Sequence, residues 1–337
     1  MNNTEKKQVL LTGDRPTGPL HLGHYVGSLS SRIEMQDEYV TYIMIADIQA
    51  LTDNHANPEK VRANVLQLYK DYYAAGIDFS KAKVFIQSLI PEIAELNVLF
   101  ANLVSHAEVL RNPTVKTEIE QKGFGESVPF GFVGYPVSQA ADILVVKANI
   151  VPVGEDQAPM IELARIIARR FNRTYKNELF PLPQMRLGSV NRLCGTDGSA
   201  KMSKSLGNTI NLQDSSDEVK KKVMGMYTDP GRLKATDPGK VEGNPVFIYH
   251  DAFNPDKAEV EELKSRYLVG RVGDVEVKQK LFAALESLLQ PMRERRSELA
   301  SKSDEQLMQQ LLASTAAVRQ VASQTMQQVR SAMKIDY

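Results

Sequence analysis

Apolar positions along this chain follow two rhythms. Between residues 8 and 171, short apolar runs alternate with longer stretches in which apolar residues recur every three to four positions. The runs at 8–12 (QVLLT), 40–47 (VTYIMIAD), 83–87 (KVFIQ) and 150–153 (IVPV) predict buried strands. The stretches at 23–37, 58–75, 91–101 and 136–147, and one running from the GEDQ segment to 171, predict helices. Pro58 fits a first helical turn, where its missing N–H removes no hydrogen bond. Strands alternating with helices of this length predict an α/β fold, a doubly wound parallel sheet of the Rossmann-like, nucleotide-binding kind. After 208 the short runs nearly vanish, apart from a strand-like VFIY at 246–249, and amphipathic helical spacing dominates at 217–226, 256–267, 275–300 and 303–333. That predicts an appended all-helical C-terminal domain, with domains at 1–212 and 213–337 and the junction near 212–216. There is no internal repeat and no low-complexity tract.

Charge and composition narrow the class. Lysine plus arginine and aspartate plus glutamate number 41 each in 337 residues, so no uniform field draws the chain toward a polyanion or a membrane, and any RNA contact must come from local basic patches. The single cysteine, Cys194, excludes an internal disulfide framework and a cysteine-rich zinc cluster, and suits a reducing compartment. The polar start has no apolar signal-peptide core, and no segment approaches the roughly 20 apolar residues of a membrane span. A cytoplasmic protein is expected.

Candidate chemistry sits first in the loop Thr12-Gly13-Asp14-Arg15-Pro16-Thr17-Gly18-Pro19-Leu20-His21-Leu22-Gly23-His24. Glycines between a strand end and a helix start let backbone approach a ligand, and a helix N-terminus suits phosphate. His21 and His24 can donate to phosphate oxygens, and Gly23 leaves room for a base or ribose. Taken alone, the loop fits a Gly- and Pro-rich turn with helix-capping histidines equally well. A second segment, Lys201-Met202-Ser203-Lys204-Ser205, lies among Gly195, Gly198 and Gly207. Two lysines and two serines on such a loop can close over a triphosphate and spread the charge of a leaving pyrophosphate. Alone it would read as solvated surface; jointly and in this order, on either side of an alternating strand and helix region, the two segments point to ATP.

On these residues the chain resembles the class I aminoacyl-tRNA synthetases: His21 to His24 match the "HIGH" signature with Leu22 for Ile, and Lys201 to Ser205 match "KMSKS" without substitution. The Gly13 to Gly18 loop, Ala140-Ala141-Asp142-Ile143-Leu144 and Val151-Pro152-Val153-Gly154-Glu155-Asp156-Gln157 narrow the likeness to the bacterial tryptophanyl-tRNA synthetase family over residues 9–208. Asp142 interrupts an otherwise apolar helix beside two alanines, and a buried carboxylate needs a partner. The resemblance implies that it accepts the indole N–H of tryptophan. It further implies tryptophan contacts at Tyr135, Gln139 and Gln157, although Tyr135 fits equally as a core aromatic with a satisfied hydroxyl. The ATP site implied comprises Arg15, Pro16, Thr17, Gly23, His24, Gly154, Glu155, Asp156, Leu193, Lys201, Met202, Ser203, Lys204 and Ser205. His21, His24, Lys201 and Lys204 would be catalytic, with Mg²⁺ carried on the phosphates and no separate metal site. Lys116 is a weaker phosphate candidate.

Departures mark a divergent subgroup: Arg15 stands where glutamine is frequent, His24 where asparagine is, Gln139 where methionine is and Met160 where histidine is. The expected partners are L-tryptophan, ATP and tRNA(Trp), in a homodimer, with no membrane and no DNA. Lys220, Lys221, Lys222, Arg293, Arg295 and Arg296 are candidate tRNA phosphate contacts, although basic clusters on helices are usually solvated faces. Two rivals stay open: a tyrosyl-tRNA synthetase or another nucleotidyl-transferring ligase with an HxGH loop, and a non-catalytic synthetase-like RNA-binding module.

Overall fold

The computed structural model describes residues 7–125, 127–187, 193–198, 202, 206–232 and 234–337. The chain opens with β1 (Val9–Asp14), α1 (Leu22–His24), a π-helical turn (Tyr25–Leu29), α2 (Ser30–Met35) and β2 (Val40–Ile45). Next come α3 (Asp47–Asn54), α4 (Pro58–Ala75), β3 (Ala82–Ile86), α5 (Pro91–Ala101), α6 (His106–Leu110), α7 (Pro113–Lys122) and α8 (Phe130–Val145). β4 (Ile150–Val153), α9 (Ala158–Thr174) and β5 (Gln184–Leu187) complete the sheet region. The remainder is α10 (Ser216–Met224), α11 (Pro245–Phe253), α12 (Lys257–Leu268), α13 (Asp274–Glu298) and α14 (Asp304–Met333).

The strands lie in the order β3-β2-β1-β4-β5, and every neighbouring pair is parallel. This is the doubly wound arrangement that the alternation predicts. Side chains of β2 alternate between two cores. Ile43 and Ile45 pack with Leu22, Val26 and Tyr72 on one face, and Tyr42 and Met44 with Phe100 and Ala141 on the other. A strand apolar on both faces is what a central parallel strand requires.

The C-terminal helices continue these cores. Leu281, Leu285 and Leu289 of α13 join Tyr69 and Tyr72 of α4, while Val318, Ala322 and Met326 of α14 join the opposite face. α14 also covers the edge strand, because Thr315 Oγ1 accepts from Ile86 N at 3.2 Å. That pairs an amide which an open sheet edge would leave exposed.

The structure corrects some expected elements. Residues 246–249 are helical, within α11: Pro245 occupies the first turn, and Asn244 caps it by accepting from Val246 N at 3.0 Å. Pre-set proline geometry and a side-chain cap outweigh the strand preference of Val, Phe, Ile and Tyr. The expected helix at 23–37 is broken by the π-helical turn and ends at Met35. α3, α6 and α7 are short and hold few apolar residues, and β5 is an edge strand with half-exposed and exposed residues, so no apolar run announces it.

Candidate active site

β1 and β4 are neighbours where the winding of the sheet reverses, and the loops that follow them leave from the place where doubly wound folds take ligands. At Gly13 a Cβ would stand 2.4 Å from the Met44 carbonyl oxygen, so only glycine lets β1 approach β2 this closely as the loop begins. Asp14 then turns inward. It accepts from Arg32 Nη1 at 2.5 Å and from Tyr72 Oη at 2.8 Å. Burial alone would raise its carboxyl, but the Arg32 charge and these hydrogen bonds, with a contribution from His24, hold it down at about 2. Further along, Leu20 N donates to Asp71 Oδ2 of α4 at 2.8 Å, which anchors the backbone just before His21.

The two signature segments meet. Leu22 N donates to Ile210 O and Leu212 N to Leu20 O, each at 2.9 Å, so the stretch after Lys201 to Ser205 is stitched to the loop holding His21. A Cβ on Gly23 would lie 3.0 Å from the His21 ring and 3.2 Å from Met202 Sδ. Glycine there lets Met202 and the histidine loop touch. His21 caps α1, its Nδ1 accepting from Gly23 N at 3.1 Å, while His24 Nδ1 accepts from His21 N at 3.2 Å. The two imidazole centroids are 3.8 Å apart. Leu193 and Met202 are buried in the same core as Leu20 and Leu22. Lys201, Ser203, Lys204 and Ser205 lie outside the described residues. Pro16 is buried and Thr17 half-buried in a tight turn, with Thr17 N donating to Arg15 O at 2.8 Å.

The second part of the site is built on α8. Tyr135, Gln139 and Asp142 are spaced by four and three residues and share one face of a helix whose other residues are mostly buried and apolar. Asp142 is 1% exposed, and Gln87 Nε2 donates to its Oδ1 at 2.8 Å. Burial pushes its carboxyl up to about 8; the Gln87 hydrogen bond opposes this and the nearby negative Asp47 adds to it. Gln139 Oε1 is buried without a hydrogen-bond partner. An orphaned buried acceptor costs about 1–3 kcal/mol. Tyr135 Oη donates to Glu118 Oε2 at 2.6 Å, and burial together with that carboxylate raises its hydroxyl. Its hydroxyl therefore faces α7, which is the satisfied-aromatic alternative.

The remaining candidates lie around these two parts. Gly154, Glu155 and Asp156 are exposed at the end of β4, and the side chain of half-buried Gln157 makes a long 3.4 Å contact to Asp156 Oδ2. Thr114 Oγ1 donates to the Asp156 carbonyl at 2.9 Å, which brings α7 against this loop. Arg15 pairs with Asp53 at 3.2 Å, and Lys116 is exposed on α7. Much of the basic cluster is engaged within the chain. Arg295 Nε donates to Ala74 O at 2.8 Å, Arg296 pairs with Asp71 at 2.5 Å, Arg293 with Glu286 at 2.6 Å and Lys222 with Asp214 at 2.5 Å. Lys220 lies over the Phe282 ring at 6.0 Å.

Sequence reasoning missed Gln87, Glu118 and Asp53. A polar residue closing an apolar strand, as Gln87 does after β3, is the only local signal among them. Among the described residues no group of three or more His, Cys, Asp or Glu is arranged to hold a metal ion, and no helix is long and apolar enough to cross a membrane.

The family described as tRNA synthetases class I (W and Y) matches residues 2–290. The tryptophan–tRNA ligase of Clostridium longisporum is 51% identical over 335 residues, covering 98% of each chain. That of Lactococcus lactis subsp. lactis (strain IL1403) is 52% identical over 338 residues, covering 98% of this chain and 99% of the relative. The crystal structure of tryptophanyl-tRNA synthetase from Campylobacter jejuni complexed with ADP and tryptophan is 31% identical and superposes with a TM-score of 0.83, covering 97% of this chain and 100% of that one.

Proposed function

This chain belongs to the class I tRNA synthetases of the tryptophan and tyrosine kind, and from that membership we infer that it is a tryptophan–tRNA ligase. It activates L-tryptophan with ATP to tryptophanyl-adenylate and pyrophosphate, then passes tryptophan to tRNA(Trp) with release of AMP. The observation that carries the choice of amino acid is Asp142, wholly buried beside Ala140 and Ala141 and held, among the described residues, by the neutral Gln87 alone. Such a carboxyl is left short of a donor until a ring N–H arrives, and an amino acid without that donor leaves it so. Gln139 Oε1, on the same face of α8, is a further acceptor for this ligand. Gln157 stands at the β4 side of the pocket, and Tyr135 shapes its wall through Glu118.

In the first step a carboxylate oxygen of the amino acid attacks the α-phosphorus of ATP; that P–O bond forms as the bond to the pyrophosphate oxygen breaks. The nucleophile is already ionised at neutral pH, so no protein base is required. Catalysis is then positioning and charge stabilisation. His21 and His24 donate to phosphate oxygens, and Gly23 leaves room for the nucleotide. Lys201 and Lys204, with Ser203 and Ser205, close on the leaving pyrophosphate, and Met202 supports that segment against Gly23. Arg15, Pro16 and Thr17 border the phosphates; Gly154, Glu155 and Asp156 take the ribose; Leu193 presents backbone to the adenine. Mg²⁺ enters as its ATP complex, which needs few protein carboxylates.

The rest of the reading is a cytoplasmic homodimer in which residues 1–212 activate the amino acid and residues 213–337 hold the tRNA anticodon. Lys221 and, in part, Lys220 are the members of the basic cluster best placed for RNA, since the others are engaged within the chain.

Amino-acid-dependent exchange of pyrophosphate into ATP tests the whole reading. Exchange with tryptophan is expected, and none with tyrosine or without amino acid. Exchange with tyrosine alone would make the chain a tyrosyl enzyme, and no exchange at all would leave a non-catalytic RNA-binding module.

A further inference from the structure

One carboxylate beside the first loop gathers two cations from different elements. Asp53, near the end of α3, receives Arg15 Nη1 at 3.2 Å and Lys122 Nζ at 2.6 Å on the same oxygen, Oδ2. Its other oxygen accepts from Asn54 Nδ2 at 2.7 Å, so the carboxylate is fixed from both sides. Arg15 belongs to the loop that leads to His21, and Lys122 is the last residue of α7.

The exposures show how the cluster is layered. The Asp53 side chain is 15% exposed, against 47% for Arg15 and 39% for Lys122. The anion lies underneath and the cations outside. The trio carries a net positive charge, and Arg15 brings it to the loop that leads to His21. Held at one oxygen, two long and otherwise mobile cationic side chains surrender their rotamer freedom before any ligand arrives. Without the shared anion they would repel and splay.

We propose that Asp53 is a positioning residue for the triphosphate of ATP, presenting Arg15 and Lys122 as a preset pair of cations beside the loop between β1 and α1. This rests on the ATP-activating reading above. Asp53 itself touches no substrate. A plainer role, tethering α7 over the loop, would affect stability and both substrates together.

The test compares the full-length protein with Asp53→Asn and Asp53→Glu. In pyrophosphate exchange, Asp53→Asn is expected to raise the KM for ATP about tenfold, the equivalent of one charge-assisted contact, with the KM for tryptophan within about twofold. The melting temperature should hold, and Asp53→Glu should restore most of the ATP affinity. An unchanged KM for ATP overturns the proposal, as does an equal rise in both KM values with a lowered melting temperature. Calorimetric titration with inorganic tripolyphosphate needs no chemistry and separates the cation pair from the ligase activity. If the unmodified protein binds tripolyphosphate and Asp53→Asn weakens that binding, yet no amino acid supports exchange, the cation pair stands and the ligase reading falls. If exchange proceeds but Asp53→Asn alters neither ATP nor tripolyphosphate, the pair falls and the ligase reading stands.

Discussion

Two aspartates taken out of water on the two sides of this site have opposite chemistry. Asp14, beneath the histidine loop, meets the guanidinium of Arg32 and the hydroxyl of Tyr72 and is held at about 2. Asp142, on α8, meets among the described residues only the amide of Gln87 and is pushed up to about 8. Burial opposes ionisation at both; the partner decides which carboxyl stays charged. The Asp14 side is a charged pair that fixes the loop before any ligand binds, although the buried Arg32 Nε is itself without a partner among the described residues. The Asp142 side is left incomplete, with a half-satisfied carboxyl and the orphaned Gln139 Oε1. A fold can keep a buried pair for rigidity, whereas a buried group without a charged partner is a recurrent mark of function.

The largest effect should come from breaking the charged pair. Arg32→Ala leaves Asp14 as an uncompensated charge, and breaking a buried pair in this way costs about 3–5 kcal/mol. Denaturant titration should show that loss, and a loss below about 1 kcal/mol would mean that water reaches Asp14 freely enough to replace Arg32. On the incomplete side stability should move much less and catalysis more. Asp142→Ala is expected to lower kcat/KM for tryptophan about 100-fold, since a hydrogen bond to a charged group contributes about 1.5–3 kcal/mol. An Asp142→Ala enzyme with undiminished tryptophan-dependent exchange would remove Asp142 from recognition altogether.

How much of this contrast could be seen in the sequence follows from how local each cause is. Helices α4 and α5 begin where Pro58 and Pro91 mark them, and β4 spans the four residues of its apolar run, because those signals lie within the elements themselves. The isolation of Asp142 among apolar neighbours was visible for the same reason. Its partner was not: Gln87 is 55 positions away, and only folding brings the end of β3 against α8. The link from Tyr135 to Glu118 and that from Arg15 to Asp53 likewise join separate elements, and α3 and α7, which carry those carboxylates, are short and hold few apolar residues. Residues 246–249 show the converse, a local strand preference overruled by Pro245 and the Asn244 cap.

pH sharpens the contrast, because the two carboxyls act in separate windows and with opposite sign. Asp14, depressed from 3.8 to about 2, contributes about 2 kcal/mol of stability above pH 4 that is lost as pH falls through about 2. Asp142, raised from 3.8 to about 8, makes the opposite contribution: its share of stability is present below pH 4 and is lost as pH rises through about 8. If the indole N–H meets the ionised form, tryptophan must displace a proton below that value. Affinity should then rise about tenfold between pH 7 and pH 9 and level off above, and Asp142→Asn should flatten the curve. A flat profile in the unmodified protein would place the ligand's donor elsewhere.

The smallest effect tests the incompleteness itself. Gln139→Met replaces an amide whose oxygen is buried without a partner by an apolar side chain of similar length. Removing an orphaned acceptor should stabilise the ligand-free protein by about 1 kcal/mol. If that oxygen is held in reserve for the amino acid, the advantage should shrink when tryptophan saturates the site, because the ligand then supplies the donor that the fold withholds. Thermal melts with and without tryptophan read this directly. A gain of equal size in both conditions would mean that Gln139 is an unpaired amide in the wall of the pocket, and that Asp142 alone makes this side incomplete.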